Sequence, residues 1–224
     1  CLLLGITTAL VITIFSPVSA QDNIYSDTSK FSLIAKKNHS PQILFERGKN
    51  LFEAAKFQEA AKTWQDAAEG FEGQGDKINQ AWSLSLVSLA LQNLGELQTA
   101  EIAIDKSLEL LQNQKGNTEI VAVSLNTKGS LKIKMGQARA ALEAWQQAEQ
   151  IYHKLGNKSG IIGTQINQAQ ALQAMGFYRR SQKLLESINK TLLPEPDSQL
   201  KVQALQGLGV ALQLVGDLSE SEKV

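Results

Sequence analysis

The chain has 224 residues with 22 basic and 22 acidic side chains, so its formal net charge is zero. A chain with no excess of positive charge lacks the electrostatic signature of nucleic-acid binding, and we expect no nucleic-acid partner. One cysteine, Cys1, cannot form an intramolecular disulfide, and two histidines, His39 and His153, lie outside any ligand-spaced cluster. No metal and no other cofactor is therefore expected.

The first twenty residues predict a signal peptide. Residues 1–20 carry no charged side chain, and their apolar run is short for a membrane span. Small residues at Val18 and Ala20 suit the positions before a signal-peptidase cut. We expect cleavage after Ala20 and export of a bacterial protein to the periplasm or the extracellular space, with membrane contact only through the signal segment before cleavage. The alternative is an N-terminal anchor that is never cut. Residues 21–40 are polar and aperiodic, which predicts a flexible leader.

From residue 41 onward the sequence repeats with a period of 40 or 41 residues. Each period contains one short turn, at Ala55, Gly95, Gly136, Gly176 and Gly216. Seven residues before each turn stands a small residue, one of Gly48, Ser88, Gly129, Ala169 and Gly209. Nine residues after four of these turns stands a bulky apolar residue, one of Trp64, Ile104, Trp145 and Leu185.

These columns predict units of helix, tight turn and helix. Small residues allow the two helices of a unit to approach closely, and a left-handed turn residue ends the first helix. We expect units at about 41–75, 76–115, 117–156, 157–196 and a truncated unit at 197–224, with a first helix such as 77–94. Helix N-caps are predicted at Asp76, Asn117, Asn157 and Asp197, and Ser40 followed by Pro41 begins the first helix.

The chain resembles the tetratricopeptide repeat (TPR) family over residues 41–224. Gly129, Ala141, Trp145 and Ala148 match the family pattern closely. The fourth and fifth units depart from it, because Ser181 and Ser221 replace alanine. Lys132 departs as well, since it stands where an apolar ring is expected. The resemblance implies an all-α fold, an α-solenoid of helix–turn–helix repeats wound into a right-handed superhelix.

The family also implies a concave groove lined by the first helix of each unit. Carried onto this sequence, its groove positions predict a partner-binding set that consists of Trp82, Ser85, Gln92, Asn93, Asn126, Ser130, Lys134, Gln170, Gln173, Gln206 and Gln213. Side-chain amides both donate and accept, so they can bind the backbone of an extended peptide. The competing interpretation is that glutamine is simply a good former of exposed helix.

No motif of catalysis occurs in these residues. Neither a G-x-S-x-G nucleophile sequence nor a phosphate-binding G-x-x-x-x-G-K-[ST] loop is present, so we expect no enzyme within this chain. The carboxylates of the second helices are expected to be solvated surface, namely Glu59, Asp66, Glu69, Glu143 and Glu149. Two basic clusters, at Lys128, Lys132, Lys134 and Arg139 and at Arg179, Arg180 and Lys183, predict either a shallow patch for an acidic partner or a solvated face balanced by Glu143 and Glu186.

Two functions of different classes remain open. The first is a non-catalytic, exported protein-interaction scaffold that binds a peptide or partner segment in its groove. The second is the regulatory repeat region of a larger exported peptidase, because residues 160–180, with Trp145-Gln-Gln-Ala before them, resemble the repeat arrays of secreted bacterial CHAT-domain proteins. The cut fifth unit leads us to expect that the natural protein continues. In this chain the last helix, 198–215, is unpaired, so we expect it to expose an apolar stripe at Leu205, Leu208, Leu212 and Val215. Such a stripe would be available for oligomerisation, although the sequence leaves the oligomeric state open.

Overall fold

Helix pairs follow one another through the whole described part of the protein. The structure is a computed structural model that describes residues 40–112, 118–194, 196 and 198–216. Within these ranges the helices are α1 (Pro41–Glu53), α2 (Phe57–Gly73), α3 (Lys77–Leu94), α4 (Leu97–Leu111), α5 (Thr118–Lys134), α6 (Ala138–Leu155), α7 (Lys158–Ala174), α8 (Tyr178–Leu192) and α9 (Gln199–Val215). The signal segment, and the leader except for Ser40, lie outside the described residues, as does the predicted cap Asn117.

The odd-numbered helices are the first helices of five units, and the even-numbered helices are the second helices of four. Each second helix packs against the first helix of its own unit and against that of the next. This stacking is an α-solenoid, and the predicted all-α repeat fold is confirmed. The helix predicted over 77–94 is observed with those bounds.

Left-handed residues end the first helices, as the turn column predicts. Gly95, Gly136, Gly176 and Gly216 have φ between 74° and 85°, and Ala55 has φ 57°. Glycine enters this region without a steric penalty, whereas the Cβ of alanine opposes it. Alanine at the first turn therefore holds a conformation that glycine provides in the other units.

Side-chain caps begin several of the first helices. Ser40, Asp76 and Asn157 each accept a hydrogen bond from a backbone N–H of the first turn, as predicted, and Pro41 occupies the first helical turn. The prediction for α9 was wrong by one residue, because Ser198 and not Asp197 is its N-cap, accepting from the backbone N–H of Lys201.

Tryptophans of the second helices pack on glycines of the first helices. A Cβ on Gly48 would lie 2.4 Å from Trp64 Nε1, and one on Gly129 would lie 2.4 Å from Trp145 Nε1. Both indoles are 1% exposed. Each indole N–H donates to a backbone carbonyl of the first helix in its unit, Phe45 O at 3.0 Å or Asn126 O at 3.1 Å. The small and bulky columns therefore form one repeated contact, in which the indole is buried with its donor satisfied.

The apolar stripe expected on the last helix is differently placed. Leu208 and Leu212 are buried with Leu185 and Ile188 of α8, so they are not available to a partner. The large apolar residues that α9 exposes are instead Val202, Val210 and Leu214. Leu205 and Val215 are half-buried. The assignment of Leu208 and Leu212 was wrong because a helix with apolar residues on several sides does not reveal from its sequence which side its neighbours cover.

Candidate protein-interaction groove

The first helices form the inner side of the solenoid. α3 packs on α5, α7 packs on α9, and α5 touches α7. No comparable contact joins successive second helices in the described part of the chain. A stack of helix pairs curves toward the side on which its helices lie closer together. The first helices therefore line a concave surface.

Polar contacts join successive first helices along this surface. We call them the polar seam, which consists of the backbone carbonyls that these contacts reach and of the side chains of Ser85, Gln92, Asn126, Thr127, Asn167 and Gln173. One kind of contact recurs in register. Gln92 Nε2 donates to Thr127 O at 3.3 Å, and Gln173 Nε2 donates to Gly207 O at 3.3 Å. Both glutamines stand three residues before a turn glycine, and both acceptors stand two residues before the small residue of the next unit.

The second recurrent contact of the seam pairs a side chain ten residues before its turn glycine with a side chain nine residues before the turn glycine of the next unit. Asn167 Nδ2 donates to Asn126 Oδ1 at 3.0 Å, and Ser85 Oγ donates to Thr127 Oγ1 at 3.5 Å. Because each contact satisfies polar groups that stacking removes from water, the seam fixes the register between units.

Four of the predicted groove residues are part of this seam, and two of them are closed to a partner. Ser85 is 1% exposed and Gln92 is 3% exposed, because α5 covers both. Their assignment as partner-contacting residues is corrected here: they bind the neighbouring unit. Asn126 and Gln173 are half-buried and share this role.

The other predicted residues are reachable to different degrees. Ser130 is half-buried and donates to Asn126 O, while Asn93, although exposed, donates to Leu89 O at 2.8 Å. Lys134 is exposed and donates to Gln92 O at 3.3 Å. The remaining predicted residues are all exposed on first helices, namely Trp82, Gln170, Gln206 and Gln213. The Trp82 ring lies 4.8 Å from that of Phe45 between centroids, so α1 and α3 also meet at this surface.

A concave cleft of about 370 Å³ lies between α7 and α9. Gln170, Gln203 and Gln206 line it, and none of the three amides has a hydrogen-bond partner among the described residues. Ile166 and Val210 supply apolar surface beside them. The cleft therefore offers free donors and acceptors on a partly apolar floor, the composition of a site that binds a peptide backbone.

Sequence analysis had missed Gln203, Ile166 and Val210. All three occupy groove columns of their units, so the register contained the signal. Gln203 shares the column of Trp82, Ile166 that of Asn126, and Val210 that of Gln170.

Every side chain that lines this cleft is uncharged. Within the described residues, no group of three or more histidine, cysteine, aspartate or glutamate side chains could hold a metal ion. A search of the same residues finds no helix with the length and hydropathy of a membrane span.

The carboxylate of Glu149 is not the solvated surface group that its position predicts. It is 19% exposed and accepts from Gln165 Nε2 at 2.6 Å and from Gln168 Nε2 at 2.7 Å, while His153 Nε2 lies 3.5 Å away. These contacts join α6 to α7, so Glu149 links the third and fourth units. The expectation of a solvated residue was wrong because the neighbouring unit presents two amides to it.

Two lysines of the first basic cluster are neutralised by residues other than the one expected. Lys128 Nζ lies 2.8 Å from Asp105 Oδ1, and Lys132 forms an ion pair with Glu101. Both acids belong to α4 of the preceding unit, not to the expected Glu143. Lys132, which departs from the apolar family column, therefore serves as a contact between units.

The comparisons with known proteins agree on the fold. No family model matches the sequence, and no curated protein matches it. Among solved structures, a protein from Podosopora anserina described as a kinesin light chain with nearly identical TPR-like repeats aligns with TM-score 0.68 and 18% identity, covering 83% of this chain and 92% of that chain.

Two further structures are similar. BtubC from P. vanneervenii aligns with TM-score 0.69 and 15% identity, covering 92% of this chain and 88% of that chain. MamA aligns with TM-score 0.55 and 16% identity over 83% of this chain and 88% of that chain. At such identities the likeness establishes a TPR-like solenoid and does not transfer a function.

Proposed function

We propose that this protein is a non-catalytic interaction scaffold that binds an extended segment of a protein partner across its concave surface. The observation that carries the proposal is the cleft between α7 and α9, where the amides of Gln170, Gln203 and Gln206 are free. The TPR-like fold supports it, because stacked helix pairs present extended concave surfaces of the kind that bind partners.

The dimensions of the fold suit an extended ligand. Packed helices lie about 8–10 Å apart, and an extended chain advances about 3.3 Å per residue. A segment that crosses the first helices therefore meets a new helix about every three residues. An amide on each helix could then accept from a backbone N–H or donate to a backbone C=O, while Ile166 and Val210 contact apolar side chains.

The lining of this cleft contains no charged residue, which leads to an independent expectation about the salt dependence of binding. Binding through neutral amides and apolar contacts gains little from long-range electrostatics, so its affinity should change little with salt. The ligand segment should accordingly be uncharged where it contacts α7 and α9.

Peptides selected from a random display library on the full chain provide the test. The variant Gln170→Glu/Gln206→Glu puts two negative charges into the cleft without changing side-chain size. We expect it to weaken the binding of the selected peptides by about tenfold or more, because amide contacts that the bound peptide buries are replaced by charge. Gln147→Glu is the matched control, because Gln147 is exposed on the second helix α6. Peptides that bind the double variant as tightly as the wild type would refute the groove assignment.

Asn126 is less suitable for this test than Gln170. Its carbonyl accepts from Trp145 Nε1, and its side chain accepts from Asn167. The backbone carbonyl survives a substitution, but the side-chain contact of the seam would be lost together with any contact in the groove, so lost binding would not identify a binding residue.

Export is part of the proposal and rests on the sequence of residues 1–20. A fusion of the full chain to alkaline phosphatase, which is active only outside the cytoplasm, should be active in Escherichia-type expression hosts and inactive when residues 1–20 are deleted. N-terminal sequencing of the exported product should begin at Gln21, and a product that keeps its first twenty residues would contradict cleavage after Ala20.

The alternative proposal is that the array regulates a CHAT-type peptidase domain in a longer protein. It rests on the resemblance of residues 160–180 and Trp145-Gln-Gln-Ala to such arrays. The source DNA downstream of Val224 decides it. An in-frame α/β domain with a cysteine and a histidine would support the alternative, and an immediate stop codon would refute it. In both cases residues 21–224 alone should show no peptidase activity, and activity above background would overturn the assignment as a non-enzyme.

A further inference from the structure

Three of the four arginines in the sequence lie just after the turns of the third and fourth units. Arg139 and Arg179 occupy the same register position, three residues after a turn glycine, in adjacent units, and Arg180 follows. Phe177 and Tyr178 lie beside them and are 44% and 37% exposed. We call these five residues the arginine–aromatic edge.

The positive charge of this edge is not neutralised within the described part of the chain. Arg139, Arg179 and Arg180 form no ion pair there, in contrast to Lys128 and Lys132, which bind acids of α4. All three arginines are exposed. Lys134 and Lys183 are also exposed without an ion pair among the described residues, but the edge combines such cations with exposed aromatic rings.

Two clefts flank Phe177. One, of about 630 Å³, lies toward Gly136 and includes Arg139 and Met175; Glu143 is its single acidic residue. The other, of about 350 Å³, includes Tyr178, Arg179, Arg180 and Val215. The Arg180 guanidinium carbon lies 5.4 Å from the centre of the Phe177 ring, within cation–π distance. Exposed aromatic surface and guanidinium groups are therefore interleaved, which is the composition of binding hot spots.

The arginines also oppose the helix that carries them. Arg179 and Arg180 stand in the first turn of α8, which has no acidic residue there. Cations at a helix N-terminus are unfavourable, because they face the positive end of the helix dipole. A local arrangement that costs stability without a compensating contact among the described residues is expected at functional sites. An anionic group bound by the two guanidinium groups would remove that repulsion.

We propose that the arginine–aromatic edge is a second interaction surface, which binds an acidic segment of a protein partner with an apolar side chain placed in a cleft beside Phe177. Carboxylates of the segment pair with Arg139, Arg179 and Arg180, whose planar guanidinium groups bind carboxylates in bidentate fashion. This surface shares no lining residue with the cleft between α7 and α9, so one partner or two can bind both at once.

The test uses the full chain and a fluorescent synthetic peptide of about twelve residues, long enough at ~3.3 Å per residue to cross both clefts. The peptide alternates glutamate with leucine and phenylalanine, and the control peptide has glutamine in place of every glutamate. We expect anisotropy to show saturable binding of the acidic peptide alone, with affinity falling as salt rises from about 0.05 M to about 0.5 M because short Debye lengths screen exposed ion pairs.

Two variants locate the binding. Arg179→Gln/Arg180→Gln should lower the affinity for the acidic peptide about tenfold, which is the loss expected for two exposed ion pairs. Arg47→Gln is the matched control, since Arg47 is the remaining arginine, exposed on α1 and distant in sequence, and it should leave the affinity unchanged. A third peptide has alanine in place of every leucine and phenylalanine of the acidic peptide. The wild-type chain should bind the acidic peptide more tightly than this third peptide, and Phe177→Ala should remove that preference. Circular dichroism confirms that each variant keeps its helices.

Three results would overturn the proposal. They are absence of saturable binding to the wild-type chain, equal losses in the double variant and in Arg47→Gln, and binding of the glutamine control peptide as tight as that of the acidic one. Single-stranded DNA that binds tighter than the acidic peptide and competes with it would also overturn it, since the surface would then serve a nucleic acid.

Discussion

Replacing Gly129 with alanine should destabilise the protein, although alanine forms helix better than glycine. The added Cβ would lie 2.4 Å from Nε1 and 2.6 Å from Cδ1 of Trp145, about 1 Å inside the usual contact distance of about 3.5 Å. Trp145 is 1% exposed, so its ring has no free space in which to move. Overpacking of this kind costs about 1–3 kcal/mol.

The displaced indole would also lose its hydrogen bond. Trp145 Nε1 donates to Asn126 O at 3.1 Å, and a buried donor left without a partner costs about 1–3 kcal/mol. Against these two costs stands the helix-propensity gain of alanine over glycine, about 1 kcal/mol. The net expected loss for Gly129→Ala is about 3 kcal/mol, which lowers Tm by roughly 6–12 °C for a chain of this size.

Gly209 provides a matched control in the same register column. A Cβ there meets no atom within 4 Å, so Gly209→Ala gains helix propensity without an overlap. It should raise stability by about 0.5–1 kcal/mol. Thermal and urea unfolding followed by circular dichroism measure both variants. In a Trp145→Leu background, which replaces the rigid indole by a smaller side chain, the penalty of Gly129→Ala should shrink in a double-mutant cycle. Gly129→Ala as stable as the wild type, or both glycine variants shifted in the same direction, would refute the reasoning.

Three further predictions concern capping, titration and ion pairing. Asp76→Ala removes the N-cap of α3 and should cost about 1 kcal/mol in urea unfolding, and an unchanged midpoint would contradict the capping role. The pKa of Tyr152 is raised above its ordinary value of 10.0, first by burial and then by the charge of Glu119. The stability that this group contributes is fully present below pH 10.0 and is lost as pH rises through the folded-state pKa. Urea midpoints should therefore fall in that alkaline range, and they should fall less in Tyr152→Phe. Identical alkaline profiles of the two proteins would count against this contribution of Tyr152. Lys128→Ala removes the exposed ion pair with Asp105 and should change stability by less than about 1 kcal/mol, and a larger loss would show that the pair is worth more than its exposure suggests.

The features that the sequence alone determined are local or strictly periodic. The turn glycines, the caps Asp76 and Asn157, and the columns that contain Gly129 and Trp145 follow from conformational preferences and from one repeating register. These are enough to specify helix pairs and their stacking, because each unit must bury the same columns against the next. The uncharged cleft between α7 and α9 was also partly visible, since Gln170 and Gln206 stand in predicted groove columns.

Only the tertiary structure decided which members of a column face a partner and which face the next unit. Gln92 and Gln213 occupy the same register position, yet Gln92 is buried under α5, while Gln213 is exposed and no described helix covers it. Lys128 is neutralised across a unit boundary, whereas Arg179 remains exposed without an ion pair in the described chain. The physical reason is that a side chain's surroundings here depend on the rotation of one unit against the next. That rotation results from the summed packing of whole helix faces, which no short stretch of sequence encodes.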